Sequence, residues 1–238
     1  MGLSKDQLIV ALDVDSRAKA LELVSELAGH VGFFKVGMEL FYAAGIGIVQ
    51  EIVAAGAKVF LDLKLHDIPN TVGRAARVLV RSGASIINVH AAGGSAMLQA
   101  AGAAAREEAH RLGMPAPLVV AVTVLTSIDR ETYQQEIGFS GEIADRVRAW
   151  ALLAQKSGLD GVVCSPREIT LVRDACGPEF KIITPGIRPA GAQLGDQRRV
   201  MTPGEAIKAG ASHLVVGRPV TGAADRIAAI KNILDEIN

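Results

Sequence analysis

The chain has 238 residues, half of them hydrophobic, and sets 25 Lys+Arg against 25 Asp+Glu, so no overall field recommends nucleic acid or an anionic membrane as a partner. An aromatic share of 4 % leaves little for base-stacking platforms, and two cysteines, Cys164 and Cys176, supply neither a disulfide framework nor a four-ligand zinc site. Reduced, packed thiols are expected, and with no apolar run of membrane-spanning length, no signal core in residues 1–7 and Asp6 where myristoylation needs Ser or Thr, so is a cytoplasmic location.

No Ser/Pro-rich linker or charge block divides the sequence, so residues 1–238 are expected to form one domain. Residues 8–12 read as a short apolar strand ending at Asp13, and Val14-Asp15-Ser16 leads into a helix with Leu21, Val24, Leu27 and Ala28 at helical spacing. A second strand, 33–36, carries Lys35 near its end and is followed by helical stretches at 38–44 and 48–55. After the strand that begins at Lys58 come a helix over 72–81, a strand over 86–89 ending at His90, and a long Ala-rich helix over 95–112. Strand 118–124 runs out at Leu125-Thr126-Ser127, and a polar loop with Tyr133 and Phe139 leads to a helix over 143–156. Strands 161–164, 181–184 and 213–216 alternate with helices begun by Pro166, spanning 202–209, and closing the chain from about 223 to 237. Gly56, Gly83, Gly158 and Gly210 each stand where a helix stops shortly before a buried strand, a place suited to a left-handed cap. Eight strand–helix pairs indicate a (β/α)₈ (TIM) barrel. A dinucleotide-binding fold needs fewer strands and a G-x-G-x-x-G after the first, and that motif is absent.

The chain is organised around residues 58–71, K-V-F-L-D-L-K-L-H-D-I-P-N-T. Val59, Phe60, Leu61, Leu63 and Leu65 make a strand apolar on both faces, as strands covered by helices are. Asp62 and Lys64, two apart, project to one side of it. Asp67 follows past the strand end, Ile68-Pro69 turns the chain, and Asn70 or Thr71 can cap the next helix. A charge in such a strand is costly unless paired. An isolated Asp-x-Lys reads as a structural ion pair, but three charged groups in six residues, leading into Pro and a capped helix, read as an active site.

In a barrel the C-terminal strand ends converge on one mouth, which here collects Asp13, Lys35, Asp62, Lys64, His90, Thr126, Ser165, the turn from Pro185 to Arg188, and Gly217-Arg218. The loops after strands seven and eight, the usual phosphate site of such barrels, read T-P-G-I-R and V-V-G-R-P. Gly lets backbone approach closely and Arg offers phosphate a bidentate partner. The long stretch between Gly186 and Met201 reads as a lid.

The pattern D-x-K-x-x-D-I-P-x-T, formed here by Asp62, Lys64, Asp67, Ile68, Pro69 and Thr71, resembles that of the orotidine 5'-phosphate decarboxylases. The resemblance spans the chain: A-L-D-V-D carries Asp13, F-K-V-G carries Lys35, V-L-T-S carries Thr126 and Ser127, V-V-G-R-P carries Gly217 and Arg218, and T-P-G-I-R-P with G-D-Q-R-R resembles the phosphate-gripping loop of the bacterial members. It implies decarboxylation of orotidine 5'-monophosphate to uridine 5'-monophosphate, the last step of de novo UMP synthesis, without cofactor or metal. Lys64 is then the proton donor to C6, with Asp62, Asp67 and Lys35 in an alternating charge network around it. Asp13 and Lys35 hold the ribose, Thr126 and Ser127 flank the pyrimidine, and Ile68 joins the substrate contacts. Arg188 and Arg218 take the phosphate beside Pro185 and Gly217, while Gln197 bridges phosphate and base. A homodimer is implied as well, with Asp67 and Thr71 reaching across the interface.

Removing CO₂ from C6 leaves a carbanion without an ordinary electron sink, so fixed charges must supply the stabilisation. The shorter D-x-K-x-x-D is shared with metal-dependent sugar-phosphate decarboxylases and aldolases, but in those relatives an acidic metal ligand ends strand two, where this chain has Lys35. His66 and His90 invite a metal at the mouth. Lys35 and Lys64 would oppose a third positive charge there, and packed histidines are the preferred reading; Arg198 and Arg199 read as solvated loop charge. A third alternative is a silent barrel that senses a nucleotide or sugar phosphate. It could keep Arg188 and Arg218 while dispensing with the Lys64/Asp62 pair, and both of those are retained.

Overall fold

Strands apolar on both faces need cover on both, and the chain provides it by closing the sheet on itself and wrapping it in helices. The structure is a computed structural model that describes residues 5–189 and 201–236. Its strands are β1 (Leu8–Ala11), β2 (Phe33–Gly37), β3 (Lys58–Leu65), β4 (Ile86–His90), β5 (Leu118–Val122), β6 (Gly161–Val163), β7 (Lys181–Thr184) and β8 (His213–Val216). They are parallel, pair in sequence order, and close where β8 meets β1. The helices between and after them are α1 (Arg17–Leu27), α2 (Met38–Ala44), α3 (Gly47–Ala54), α4 (Pro69–Arg81), α5 (Gly94–Leu112), α6 (Ile143–Lys156), α7 (Ile169–Cys176), α8 (Pro203–Lys208), α9 (Arg218–Thr221) and α10 (Arg226–Asp235).

Alternation along the strands divides the core in two. Ile9, Ala11, Phe33, Phe60, Ile86, Val120, Ile183 and Val215 form one cluster, the barrel interior. Their sequence neighbours, among them Val10, Phe34, Leu61, Ile87 and Leu214, point outward into the larger cluster beneath the helices. The four expected glycine caps all have positive φ, from 76° at Gly158 to 107° at Gly210.

Four local expectations need correction. The helix after β3 starts at Pro69 with Ile68 as its cap residue and no side-chain cap, so Asn70 and Thr71 lie inside its first turn. Pro lacks an N–H that would need capping and has its φ preset, which lets the helix begin early. Pro166 opens a 3₁₀ turn ahead of α7, closed by a reciprocal Ser165–Glu168 capping box. The loop after β5 is polar by count but pinned by aromatics: Tyr133 is buried in a π-helical turn, and Phe139 packs between it and Trp150. After β8 the short α9 intervenes, and α10 starts only at Arg226, capped by Asp225. Cys164 and Cys176 are both free and buried. Among the described residues no helix is long and apolar enough to cross a membrane.

Candidate active site

The C-terminal ends of β1, β2 and β3 bring together the first four expected charges. Lys35 Nζ lies 3.1 Å from Asp13 Oδ1 and 3.5 Å from Asp62 Oδ2, and Lys64 Nζ lies 2.7 Å from Asp62 Oδ1. The signs alternate along this chain, so each ammonium faces a carboxylate. Burial pushes the Asp62 carboxyl up, but Lys35, Lys64 and hydrogen bonds from Lys64 and Asn88 outweigh it and hold the group below the usual carboxylate range. Gly37 leaves room for the arrangement: a Cβ there would stand 3.1 Å from Lys35 Nζ.

Lys64 is the one non-glycine residue with positive φ (53°) among the described residues. The ladder between β3 and β4 slips at this point, pairing Leu61 with Ile87 and then Leu65 with Val89. Asn88, buried in the middle of β4, spans the slip. Its Oδ1 accepts the Lys64 N–H at 2.8 Å and its Nδ2 donates to Asp62 Oδ1 at 2.6 Å. The sequence reading missed this residue. Its signal was available: one amide within the apolar run I-I-N-V-H, where an unsatisfied polar group would be costly.

A pocket of about 190 Å³ opens beside these charges, lined by Lys35, Asp62, Lys64 and Thr126 on its polar side and by Phe60, Val122, Val163 and Val215 on its apolar side. Cys164 also lines it, and burial pushes its thiol well above the ordinary range. Thr126 is half-buried in the pocket wall, whereas Ser127 is exposed. His90 is half-buried next to a smaller apolar cavity with Tyr133, Phe139 and Trp150. Burial, then His66 and Lys64, lower its pKa against a smaller opposing pull from Asp62. The His66 and His90 rings stand 5.5 Å apart, and no group of three or more metal-ligating side chains occurs among the described residues. Ser165 faces inward fully buried, its hydroxyl occupied by the capping box.

Next to this pocket a polar cleft of about 150 Å³ is lined by Asp13, Lys35, Pro185, Gly186, Arg188, Gly217 and Arg218. Arg188 is 9 % exposed, and its Nη1 donates to the Ile187 carbonyl at 3.0 Å. Burial, and then the Arg218 cation, lower its pKa. Two guanidinium groups repelling each other in a cleft form a place where an anion would be stabilised. The base of the long loop is tied: Arg188 N–H donates to the Met201 carbonyl at 3.0 Å. Gln197, Arg198 and Arg199 lie outside the described residues.

Asp67, Ile68 and Thr71 stand apart from their own chain's pocket. All three are exposed, Ile68 at 66 %, and the Asp67 carboxylate accepts the Ile68 N–H at 2.6 Å. Within one chain the alternating charges therefore run Asp13, Lys35, Asp62, Lys64, without Asp67.

The profile of the Orotidine 5'-phosphate decarboxylase / HUMPS family matches residues 6–233. A protein of Moorella thermoacetica named orotidine 5'-phosphate decarboxylase is 59 % identical over 234 residues, covering 98 % of this chain and 93 % of its own length. One of the same name from Syntrophomonas wolfei is 52 % identical and is covered to 98 %. Among solved structures, orotidine 5'-phosphate decarboxylase from Lactobacillus acidophilus superposes with a TM-score of 0.85 at 41 % identity, over 97 % of this chain and 98 % of that one.

Proposed function

The chain belongs to the orotidine 5'-phosphate decarboxylase / HUMPS family, and on that premise we propose how its barrel mouth works. The protein is a carboxy-lyase that converts orotidine 5'-monophosphate to uridine 5'-monophosphate in pyrimidine biosynthesis. The observation that carries the reading to this site is the alternating run Asp13–Lys35–Asp62–Lys64, whose last three members line a largely apolar pocket.

The substrate's C6 faces Lys64. As the bond from C6 to the carboxylate breaks, its electron pair stays on C6 and CO₂ departs into the pocket. The Lys64 ammonium, held 2.7 Å from Asp62, stabilises that charge and then passes a proton to C6. Fixed charges against apolar walls act more strongly than they would in water and need no reorganisation during the reaction. Asp62 holds the Lys64 ammonium in place through their ion pair and also lies near the departing carboxylate, where repulsion raises the ground state. Asp13 and Lys35 take the ribose hydroxyls, and Thr126 and Ser127 flank the ring. Arg188 and Arg218 grip the phosphate beside Pro185 and Gly217, with Gln197 bridging to the base. The binding energy gained at the phosphate helps assemble the charged end.

The working unit is a two-fold dimer in which Asp67 and Thr71 of each copy serve the other's site, Asp67 completing the charge network and Ile68 between them joining the substrate contacts. Support comes from their exposure, and from Met38 and Tyr42 on α2, the helix that follows the neighbouring strand β2, exposed at 47 % and 76 %. An isologous interface suits such a pattern, because each copy gives and receives the same residues. The direct test is an ultraviolet assay of orotidine 5'-monophosphate consumption with and without a chelator. Turnover untouched by the chelator is expected. No turnover overturns the reading, and reversible loss on chelation points instead to the metal-dependent branch of the family.

A further inference from the structure

Between the paired positions Leu61/Ile87 and Leu65/Val89, β3 spends three residues, Asp62, Leu63 and Lys64, where β4 spends one, Asn88. A strand widened in this way loses ladder partners for its amides. It also places Lys64 at φ 53°, a conformation strained for a side-chain-bearing residue, which persists only where the surroundings fix it. Glycine would relieve the strain, but the position carries the ammonium. The group that fixes it is the Asn88 amide, which accepts from the Lys64 N–H and donates to the carboxylate holding the Lys64 ammonium. Flipping the amide would set NH₂ against N–H and oxygen against carboxylate, so only one orientation satisfies both ends.

We infer that Asn88 is a positioning residue for the reaction: it holds the Lys64 backbone in its left-handed turn and fixes the Asp62 carboxylate, so that the ammonium is aimed into the pocket. Asn88 does not line that pocket, and it acts through the two residues that do. The inference rests on the decarboxylase reading of Lys64. Deleting the amide leaves the Lys64 N–H and an Asp62 lone pair unsatisfied in a buried place and releases the bulge. Ground-state binding, to which the adjoining phosphate cleft contributes, is left largely intact.

The experiment compares wild type with Asn88→Ala and the near-isosteric Asn88→Asp, measuring kcat for orotidine 5'-monophosphate and the Kd of uridine 5'-monophosphate. Asn88→Ala should lower kcat about a hundredfold, the scale of a misplacement near 1 Å, while Kd moves less than about threefold. Asn88→Asp separates positioning from general support of the fold. Protonated, its carboxyl can accept from Lys64 and donate to Asp62 as the amide does; ionised, it places a second carboxylate against Asp62. Its kcat relative to wild type should therefore climb at least about tenfold from pH 8 to pH 5. A wild-type enzyme without turnover defeats the decarboxylase reading itself. With wild type active, an Asn88→Ala kcat within threefold of wild type, or an Asn88→Asp ratio flat with pH, overturns the role of Asn88. If Asn88→Ala does not fold, the Asn88→Asp profile decides alone.

Discussion

At the mouth of the barrel, Asp62 is largely buried yet stays ionised, because Lys35, Lys64 and the Asn88 amide outweigh the cost of burial. At the opposite end, His213 opens β8 against the edge of the Phe33 ring, 5.5 Å between centroids, and its Nδ1 is buried without a hydrogen-bond partner. There burial and the nearby Lys181 and Lys58 all favour the neutral imidazole, and its pKa falls to about 4. Both groups are desolvated, and their opposite outcomes come from the partners supplied. The mouth invests in opposite charges that a reaction can use; the floor simply excludes a charge.

The largest effect should come from breaking the mouth's charge chain. Lys64→Ala removes the proton donor and the cation facing C6, and single-turnover decarboxylation should fall by at least about 10⁴-fold while the fold persists. A loss under tenfold, roughly 1.4 kcal/mol, is too small for that role. Asp67→Ala should be nearly inactive as well. Unfolded together and refolded, the two variants should regain about a quarter of wild-type activity, because half of randomly paired dimers are mixed and one of their two sites is intact. No recovery despite proven mixed dimers would mean that Asp67 serves its own chain.

A smaller effect should separate the phosphate cleft from the charge chain. Arg188 and Arg218 repel each other, as the cations near His213 repel a proton, but the cleft can receive an anion. Arg218→Ala should cost about a hundredfold in kcat/KM for the phosphorylated substrate and almost nothing in the feeble reaction of the bare nucleoside. Equal losses on both substrates would show that Arg218 supports the fold or the base pocket instead.

The mouth was more legible in the sequence than the floor, for physical reasons. Asp62 and Lys64 interrupt an apolar strand, and charges in such a place demand an explanation. The barrel itself followed from strand–helix repetition punctuated by Gly56, Gly83, Gly158 and Gly210, whose positive φ values match their capping places. Asn88 escaped because its partners lie on the neighbouring strand, 24 and 26 positions away, and periodicity within one strand carries no register. The bulge at Lys64 escaped for the same reason. The start of α4 was misjudged because capping side chains were weighed above the proline that needs none. Asp67 stood out as one of three charges in six residues and Thr71 by resemblance, which also gave both a role toward a second copy; both are exposed in one chain. His213 carried no signal at all, since a histidine opening a strand is unremarkable until Phe33, Lys58 and Lys181 are seen around it.

The smallest effect is predicted at the floor and concerns stability alone. The folded-state pKa of His213, about 4, lies below the ordinary value of 6.5, so as pH falls the unfolded chain takes up the proton first. The contribution is complete above about pH 6.5 and is lost progressively toward pH 4. The cations facing the ring are Lys58 at the start of β3 and Lys181 at the start of β7. Partial solvent access trims the full linkage to roughly 1–2 kcal/mol between pH 7 and pH 4.5. His213→Gln keeps a polar side chain and removes the titration. Urea unfolding of both proteins at the two pH values should show wild type losing that much more stability than the variant, with turnover at pH 7 unchanged because His213 lies at the far end of the barrel from Lys64. Parallel losses in the two proteins would mean that His213 takes its proton as readily folded as unfolded, and the contrast between the barrel's two ends would fail at its lower one.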